Sequence, residues 1–188
     1  WRQAHDSIYL IGVGPDDAEA LSLGLAGSAY QQLITGSLAG RPPLPDLPME
    51  AKVGCLVREA IARGLLGSAH DCSDGGLCVA LAESSIASGL GIEIDLSVQG
   101  VRLDRVLFAE GGSRIVVSVK ADRMGPWEAL LAEQDDLPIT RIGVVTEQPC
   151  LQVRVDRDPC LNLEVEQCRH AYSSSLPRRL DGNGERAE

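Results

Sequence analysis

The spacing of apolar residues changes repeatedly along this chain, and that change constrains its fold more than any other feature. Over residues 53–65 (VGCLVREAIARGL) apolar residues recur at helical spacing, because positions three, four and seven apart share one helix face. Over residues 92–96 (IEIDL) they alternate with charged residues, which is the period of a strand with one wet face. Helices and strands therefore interleave, which predicts an α/β (α+β) sandwich of a mixed sheet covered by helices rather than a Rossmann fold.

Shorter segments complete the predicted order of elements. Residues 18–36 contain Gly24 and Gly27 and are predicted to form two short helices joined at a glycine corner. Four prolines in residues 41–48 predict an extended connector, and residues 68–76 (SAHDCSDGG) predict a polar loop. Further strands are predicted at residues 7–13, 114–119, 142–146 and 151–155, and further helices at residues 77–88, 101–108 and 122–134.

The charge balance and the apolar runs exclude two classes of partner. The chain has 17 Lys plus Arg against 27 Asp plus Glu, a net charge of −10, so a basic footprint for nucleic acid is absent. Its apolar runs are far shorter than the roughly 20 residues that span a bilayer. We expect no nucleic-acid partner and no membrane partner. The first residues, WRQAHD, lack the pattern of a secretory signal, and we expect a piece of a longer cytoplasmic protein.

The cysteines predict neither a metal site nor a disulfide framework. Six cysteines occur without a CxxC pair, which supports neither a zinc ribbon nor a thioredoxin-like site. A chain of this length buries a core large enough to need no disulfides, so we expect reduced thiols.

The end of the chain differs from the rest in composition. From Arg157 the hydrophobic pattern fades and polar residues dominate, a composition that buries too little apolar surface to order itself. The sequence therefore predicts a folded domain over residues 1–156 and a disordered tail over residues 157–188.

The loop before the helix at residues 77–88 is the first candidate site. Ser73 or Asp74 can cap that helix, while Gly75 and Gly76 leave backbone N–H groups open to an approaching anion. The alternative is that the cap and the glycines serve only the folding and close packing of the helix. The residues alone favour this structural alternative.

The second candidate site is the segment LFAEGGSR at residues 107–114. It places Glu110, Ser113 and Arg114 around a glycine pair just before a predicted strand. Glu110 either pairs with Arg114 or faces a ligand, and paired charge at the start of a strand is usually structural.

Other motifs carry less information. The GVGPDD segment at residues 12–17 has two glycines of a GxGxxG fingerprint but Asp17 in place of the third, which indicates a tight turn. Neither a phosphate-binding GxxxxGK[ST] motif nor a GxSxG motif occurs. His70 beside Asp71 suggests an oriented imidazole, although a lone histidine in a loop is more often structural.

Two segments in a fixed order carry a resemblance to a known family. Residues 68–96 (SAHDCSDGGLCVALAESSIASGLGIEIDL) followed by residues 107–119 (LFAEGGSRIVVSV) resemble the C-terminal domain of the small-type phosphoribosylformylglycinamidine synthases. The YLIG strand, the AGSAYQQLITGSLAG segment and the proline-rich connector are similar to the same region in the same order, so the resemblance covers about residues 8–155. It implies the fold of the aminoimidazole ribonucleotide synthetase C-terminal domains, an α/β sandwich with a mixed sheet.

The resemblance also implies an activity for the whole protein. In this family ATP, with Mg²⁺, activates the amide oxygen of formylglycinamide ribonucleotide, and ammonia then displaces phosphate to give the amidine of purine biosynthesis. The ammonia comes from a separate glutaminase subunit, which is assembled with the aid of a small bridging subunit.

The family's catalytic histidines, magnesium carboxylates and most nucleotide contacts lie in N-terminal ATP-binding domains, so the resemblance implies no catalytic and no metal-ligating residue in this chain. We therefore expect this chain to be inactive alone and to pack against those domains. Two alternatives stay open: a non-catalytic scaffold or docking domain, and the equivalent domain of a selenophosphate synthetase, a hydrogenase maturation protein or a thiamine-monophosphate kinase. The candidates for ligand contact are Asp71, Ser73, Asp74, Gly75, Gly76, Glu110, Ser113 and Arg114.

Overall fold

The structure, a computed structural model, describes residues 1–180 and arranges them around one seven-stranded sheet. The strand order is β2-β4-β1-β5-β3-β6-β7. Neighbouring strands are antiparallel except β3 and β6, which run parallel, so the sheet is mixed, as predicted. The strands are β1 (Ser7–Gly12), β2 (Leu66–Asp71), β3 (Gly91–Leu96), β4 (Arg114–Val119), β5 (Ile139–Thr146), β6 (Cys150–Val155) and β7 (Asp158–Glu164).

Helices cover both faces of this sheet. Successive side chains of a strand point to opposite faces, so Ile8 and Leu10 of β1 pack with residues of α3 and α4, whereas Tyr9 and Ile11 pack with residues of α2 and α5. None of the helices among the described residues is long and apolar enough to cross a membrane. The helices are α1 (Ala29–Thr35), α2 (Leu47–Ala62), α3 (Gly76–Ser88), α4 (Leu103–Phe108), α5 (Met124–Leu131) and α6 (Val165–Leu180).

The two short helices expected over residues 18–36 are reduced to one. Only the second forms, as α1, whereas residues 18–27 form a series of turns. The amides of Ser22, Gly24 and Ala26 bond carbonyls three residues earlier, and such short-range bonds close turns instead of an α-helix.

The proline-rich connector ends earlier than expected. Helix α2 begins at Leu47, inside the predicted connector of residues 41–48, with Asp46 as its N-cap. The Asp46 carboxylate accepts a hydrogen bond from the Met49 N–H at 3.0 Å, and Pro48 lies in the first turn, where a proline removes no helical hydrogen bond.

The predicted loop over residues 68–76 is wrong in its first half. Residues up to Asp71 belong to β2, which pairs with β4 and is an edge strand of the sheet that residues 1–180 form. An edge strand needs fewer apolar side chains than a central one. Because Ser68 and His70 are polar, the spacing of apolar residues does not reveal this strand.

The disorder expected for residues 157–188 is wrong over residues 158–180. Strand β7 pairs with β6, and α6 follows it, with the buried Val165 packed in the core beside β1 and α3. Backbone pairing does not depend on apolar side chains, so β7 forms although its side chains are mostly exposed. Residues 181–188 lie outside the described residues, and the division of the chain at residue 156 stays a prediction.

The six cysteines are all free thiols. Cys72 and Cys78 are largely enclosed, and this desolvation raises the pKa of each thiol to about 11.

Candidate functional site

The two predicted site segments meet in one open cleft of about 450 Å³. They meet because β2 and β4 are antiparallel neighbours, with Asp71 at the end of β2 opposite Ile115 near the start of β4. The loop after β2 and the loop before β4 therefore emerge side by side. Six of the eight predicted site residues line the cleft: Asp71, Ser73, Asp74, Glu110, Ser113 and Arg114.

Sequence reasoning missed part of the lining. Pro42 and Pro43 of the connector and Glu50 of α2 also line the cleft. The Glu50 carboxylate accepts a hydrogen bond from the backbone N–H of Ser113, which is 63 residues away. No sequence signal links two residues at that separation.

Glu110 joins three segments through a single carboxylate oxygen. Its Oε1 accepts the Gly75 N–H at 2.7 Å and the Ala29 N–H at 2.8 Å. Hydrogen bonds to an ionised acceptor are stronger than those between neutral groups. The carboxylate therefore holds the start of α1 and the start of α3 against the loop that precedes β4.

The glycine pair offers no open N–H group to an anion, in line with the structural alternative that the residues favour. The Gly75 N–H donates to the carboxylate of Glu110, and the Gly76 N–H donates to the Ser73 carbonyl at 3.0 Å. Neither N–H is open to an external anion, because the chain's own groups occupy both. Gly75 and Gly76 are also the two predicted site residues that do not line the cleft.

The glycine pair is nevertheless required by the backbone. Gly75 is the N-cap of α3 with φ 80°, and Gly76 follows with φ 66°, both in the left-handed region that favours glycine. A Cβ on Gly76 would lie 2.7 Å from the carbonyl oxygen of Ala109. The expectation that Ser73 or Asp74 caps this helix is wrong, since α3 has no side-chain cap.

Arg114 faces inward instead of pairing with Glu110. Its side chain is buried, and two guanidinium nitrogens lie 3.4 Å from the carbonyl oxygens of Val106 and Ala109, at the C-terminal end of α4. Carbonyl groups at a helix C-terminus favour a cation, whereas desolvation lowers the pKa of this guanidinium. The expected ion pair between Glu110 and Arg114 is therefore wrong.

The side chains of Asp71 and His70, at the end of β2, contact different groups. The Ser73 hydroxyl donates to the Asp71 carboxylate, and this hydrogen bond holds the pKa of that carboxyl below its ordinary value. His70 lines a different cavity, where its Nε2 lies 3.2 Å from Oε2 of Glu83. Its Nδ1 lies 2.7 Å from the backbone carbonyl oxygen of Asp71. The imidazole is thus oriented by Glu83 and by the Asp71 backbone, and it does not line the cleft.

The cleft is acidic, which limits what it can hold by itself. It carries the carboxylates of Glu50, Asp71, Asp74 and Glu110, and Arg114 is turned inward. Within residues 1–180 no group of three or more His, Cys, Asp or Glu side chains is placed to hold a metal ion. The acidic lining does not favour a phosphate group, because like charges repel.

Comparison with known proteins gives a family and a set of relatives. The family model described as AIR synthase related protein, C-terminal domain, matches residues 3–156. Phosphoribosylformylglycinamidine synthase subunit PurL of Synechococcus sp. (strain CC9902) is 48% identical over 96% of this chain, and that of Synechococcus sp. (strain WH7803) is 49% identical over 96%. The chain spans about a quarter (24%) of the length of these curated relatives.

Solved structures share the fold at low sequence identity. T. maritima PurL complexed with FGAR matches 89% of this chain with a TM-score of 0.67 and 18% identity, over 28% of that chain. The same protein complexed with ATP matches 90% with a TM-score of 0.64 and 15% identity, over 26% of that chain. PurLQS from the same organism matches 90% of this chain with a TM-score of 0.63 and 16% identity, over 27% of that chain. The HypE-HypF complex matches 86% of this chain with a TM-score of 0.53 and 17% identity, over 52% of that chain.

Proposed function

Because the chain belongs to the AIR synthase related protein, C-terminal domain family, we propose that it is the C-terminal domain of a phosphoribosylformylglycinamidine synthase. The observation that carries this proposal is the 48% identity to PurL over 96% of the chain. The shared fold with T. maritima PurL supports it. The whole polypeptide is then an ATP-dependent ligase that converts formylglycinamide ribonucleotide and ammonia to the amidine in purine biosynthesis.

Within that enzyme this chain supplies one wall of a cleft and no catalytic residue. ATP and Mg²⁺ bind in the N-terminal ATP-binding domains, and for the phosphates of ATP this division is supported by the acidic lining of this chain's own cleft. The enzyme is cytoplasmic and works with a glutaminase subunit and a small bridging subunit. The existence of a T. maritima PurLQS structure supports a multi-subunit assembly.

A domain exchange tests the assignment. This chain replaces the matching segment of the Synechococcus sp. (strain CC9902) enzyme, and the chimera is expressed in a purine-requiring strain that lacks the synthase. The purified chimera is also assayed with formylglycinamide ribonucleotide, ATP and an ammonium salt, so that no glutaminase is needed. We expect growth without purine and amidine formation, and no turnover from residues 1–188 alone.

A second chimera serves as the matched control. It carries the corresponding domain of HypE, whose complex shares the fold at a TM-score of 0.53. We expect this control to fail both tests. Growth of both chimeras would show that only the fold matters, and a folded first chimera without amidine formation would overturn the assignment.

A scaffold role inside the enzyme is the second candidate, because Glu110 and Arg114 are both engaged in internal contacts. Asp74 separates the two roles, since it lines the cleft, is exposed and accepts no hydrogen bond from the described residues. If the cleft contacts substrate, Asp74→Ala in the complete enzyme changes KM without changing Tm. If the domain is only a scaffold, neither quantity changes.

A further inference from the structure

The segment from α1 to the start of α2, residues 29–47, exposes an unusual amount of apolar surface. We call it the arm. Residues 32–42 are all exposed, and the exposed fractions reach 81% for Leu33, 73% for Leu44 and 69% for Leu47. Of the ten large apolar side chains that are exposed among those whose burial the structure describes, five lie in the arm: Leu33, Ile34, Leu38, Leu44 and Leu47. Such a concentration of exposed apolar groups marks an interaction site rather than ordinary surface.

The arm is held in shape by hydrogen bonds and by one aromatic contact. The Gln31 side-chain oxygen accepts the N–H groups of Gly27 at 3.0 Å and Ala39 at 2.9 Å, and so closes the arm on itself. The Glu110 carboxylate holds the N–H of Ala29. The Tyr30 ring stacks on Phe108 with centroids 4.6 Å apart. The apolar side chains are thus presented outward on an ordered backbone, which lowers the entropy cost of binding.

The composition of the arm indicates what it binds. In a chain with a net charge of −10, residues 29–47 contain only two charged residues, Arg41 and Asp46. Depletion of charge at the centre of a patch is typical of protein interfaces. An apolar arm with one positive and one negative charge fits an apolar protein surface, and it does not fit nucleic acid or an anionic lipid surface.

We propose that the arm docks on an apolar surface of the same polypeptide, outside these 188 residues. The proposal rests on the proposed function, since the relatives of which this chain spans 24% have about three quarters of their length elsewhere. A surface on the same polypeptide is present at a high effective concentration, so it outcompetes a second copy or a separate subunit. Pro42 and Pro43 of the arm line the cleft, so docking would complete its wall.

Photo-crosslinking in the complete polypeptide tests this docking. Benzoylphenylalanine is placed at Leu33 or Leu44, one position at a time, and at the exposed Glu128 of α5 as the background control. After irradiation, mass spectrometry identifies the crosslinked peptides. We expect both arm positions to crosslink within one polypeptide to residues beyond this chain, well above the Glu128 background.

Three results would overturn the proposal: crosslinks only between two copies, crosslinks only to a separate subunit, or no crosslink above background. Amide hydrogen exchange on the unsubstituted complete polypeptide gives a second reading that no substitution can disturb. We expect slow exchange at Leu38, Gly40, Arg41 and Leu44, since Pro42 and Pro43 have no N–H and the Ala39 N–H already bonds Gln31. Exchange there at the rate of an open chain would also overturn the docking.

The readouts keep the two proposals separate, because crosslinking needs no turnover. A chimera that forms the amidine but gives no arm crosslink leaves the proposed function standing and removes the docking. A polypeptide that crosslinks through the arm but forms no amidine does the reverse.

Discussion

The glycine loop at residues 71–76 and the arm at residues 29–47 lie beside the same cleft but differ in how much of each is covered by the rest of the chain. In the glycine loop the backbone N–H groups of Gly75 and Gly76 are bonded within the chain, and Gly76 accommodates a close approach to the end of α4. In the arm the Gln31 side chain also bonds backbone N–H groups of the chain, but the apolar side chains are left in water. The glycine loop needs no partner, whereas the arm needs one to cover its apolar side chains.

The difference teaches where stability and assembly reside. A region whose polar groups and close contacts are satisfied internally contributes to the folding of this chain. A region that presents apolar side chains on a fixed backbone contributes nothing comparable until those side chains are covered. Substitutions in the glycine loop should therefore change stability, whereas substitutions in the arm should change assembly.

The largest effect is expected at Gly76. Gly76→Val places a branched side chain at φ 66°, with its Cβ 2.7 Å from the Ala109 carbonyl oxygen. Backbone strain and overpacking together should lower the free energy of unfolding by about 3 kcal/mol, as measured by urea denaturation. The matched control is Gly89→Ala, at φ 76° with no atom within 4 Å, which should cost only about 1 kcal/mol. Equal losses would show that the close approach to α4 is unimportant.

A smaller loss is expected when Glu110 is truncated. Glu110→Ala leaves the Gly75 and Ala29 N–H groups without their acceptor, so the free energy of unfolding should fall by about 2 kcal/mol. Thermal and urea denaturation measure the loss. Glu128→Ala on the exposed face of α5 is the control and should change stability by less than about 0.5 kcal/mol. If the Glu110 variant is as stable as this control, the carboxylate does not hold the three segments together.

A titration measures the hydrogen bond inside the glycine loop directly. Because the Ser73 hydroxyl lowers the pKa of Asp71, Ser73→Ala should raise that pKa toward its ordinary value, as followed by NMR of the Asp71 carboxyl carbon. A lowered pKa in the folded state stabilises the protein above the unfolded pKa, and this stability is lost as the pH falls through the folded pKa. Solvent screening keeps the effect on stability small, since Asp71 is exposed. An unchanged pKa in the variant would exclude the hydrogen bond as the cause.

The smallest effect on the stability of this chain is expected in the arm. Leu33→Ser and Ile34→Ser alter side chains that are already in water, so each should change the free energy of unfolding of residues 1–188 by less than about 0.5 kcal/mol. The same substitutions in the complete polypeptide should lower its Tm, because a covered apolar side chain contributes to stability there. If the substitutions have the same effect on residues 1–188 as on the complete polypeptide, the contrast between the arm and the glycine loop is wrong.

Sequence reasoning predicted the elements whose apolar residues are strongly periodic. Helix α3 and strands β1, β3 and β4 form close to their predicted bounds, and α2 forms but begins at Leu47, ahead of its predicted start at residue 53. Each buries an apolar face that its own sequence encodes. It missed β2 and β7, which are the two edge strands of the sheet. These two strands are held in place by backbone hydrogen bonds to a neighbouring strand. Such bonds leave little trace in the pattern of apolar residues.

For the candidate site, the sequence by itself determined which two segments carry it, since both stand out as polar glycine-containing loops beside apolar elements. Only the tertiary structure decided what their groups do. The Glu110 carboxylate binds N–H groups 35 and 81 residues away, and the Arg114 guanidinium turns to the end of α4. Apolar periodicity is a local property of the chain. Hydrogen bonds between distant residues depend on how the sheet brings loops together, so they become visible only in the folded molecule.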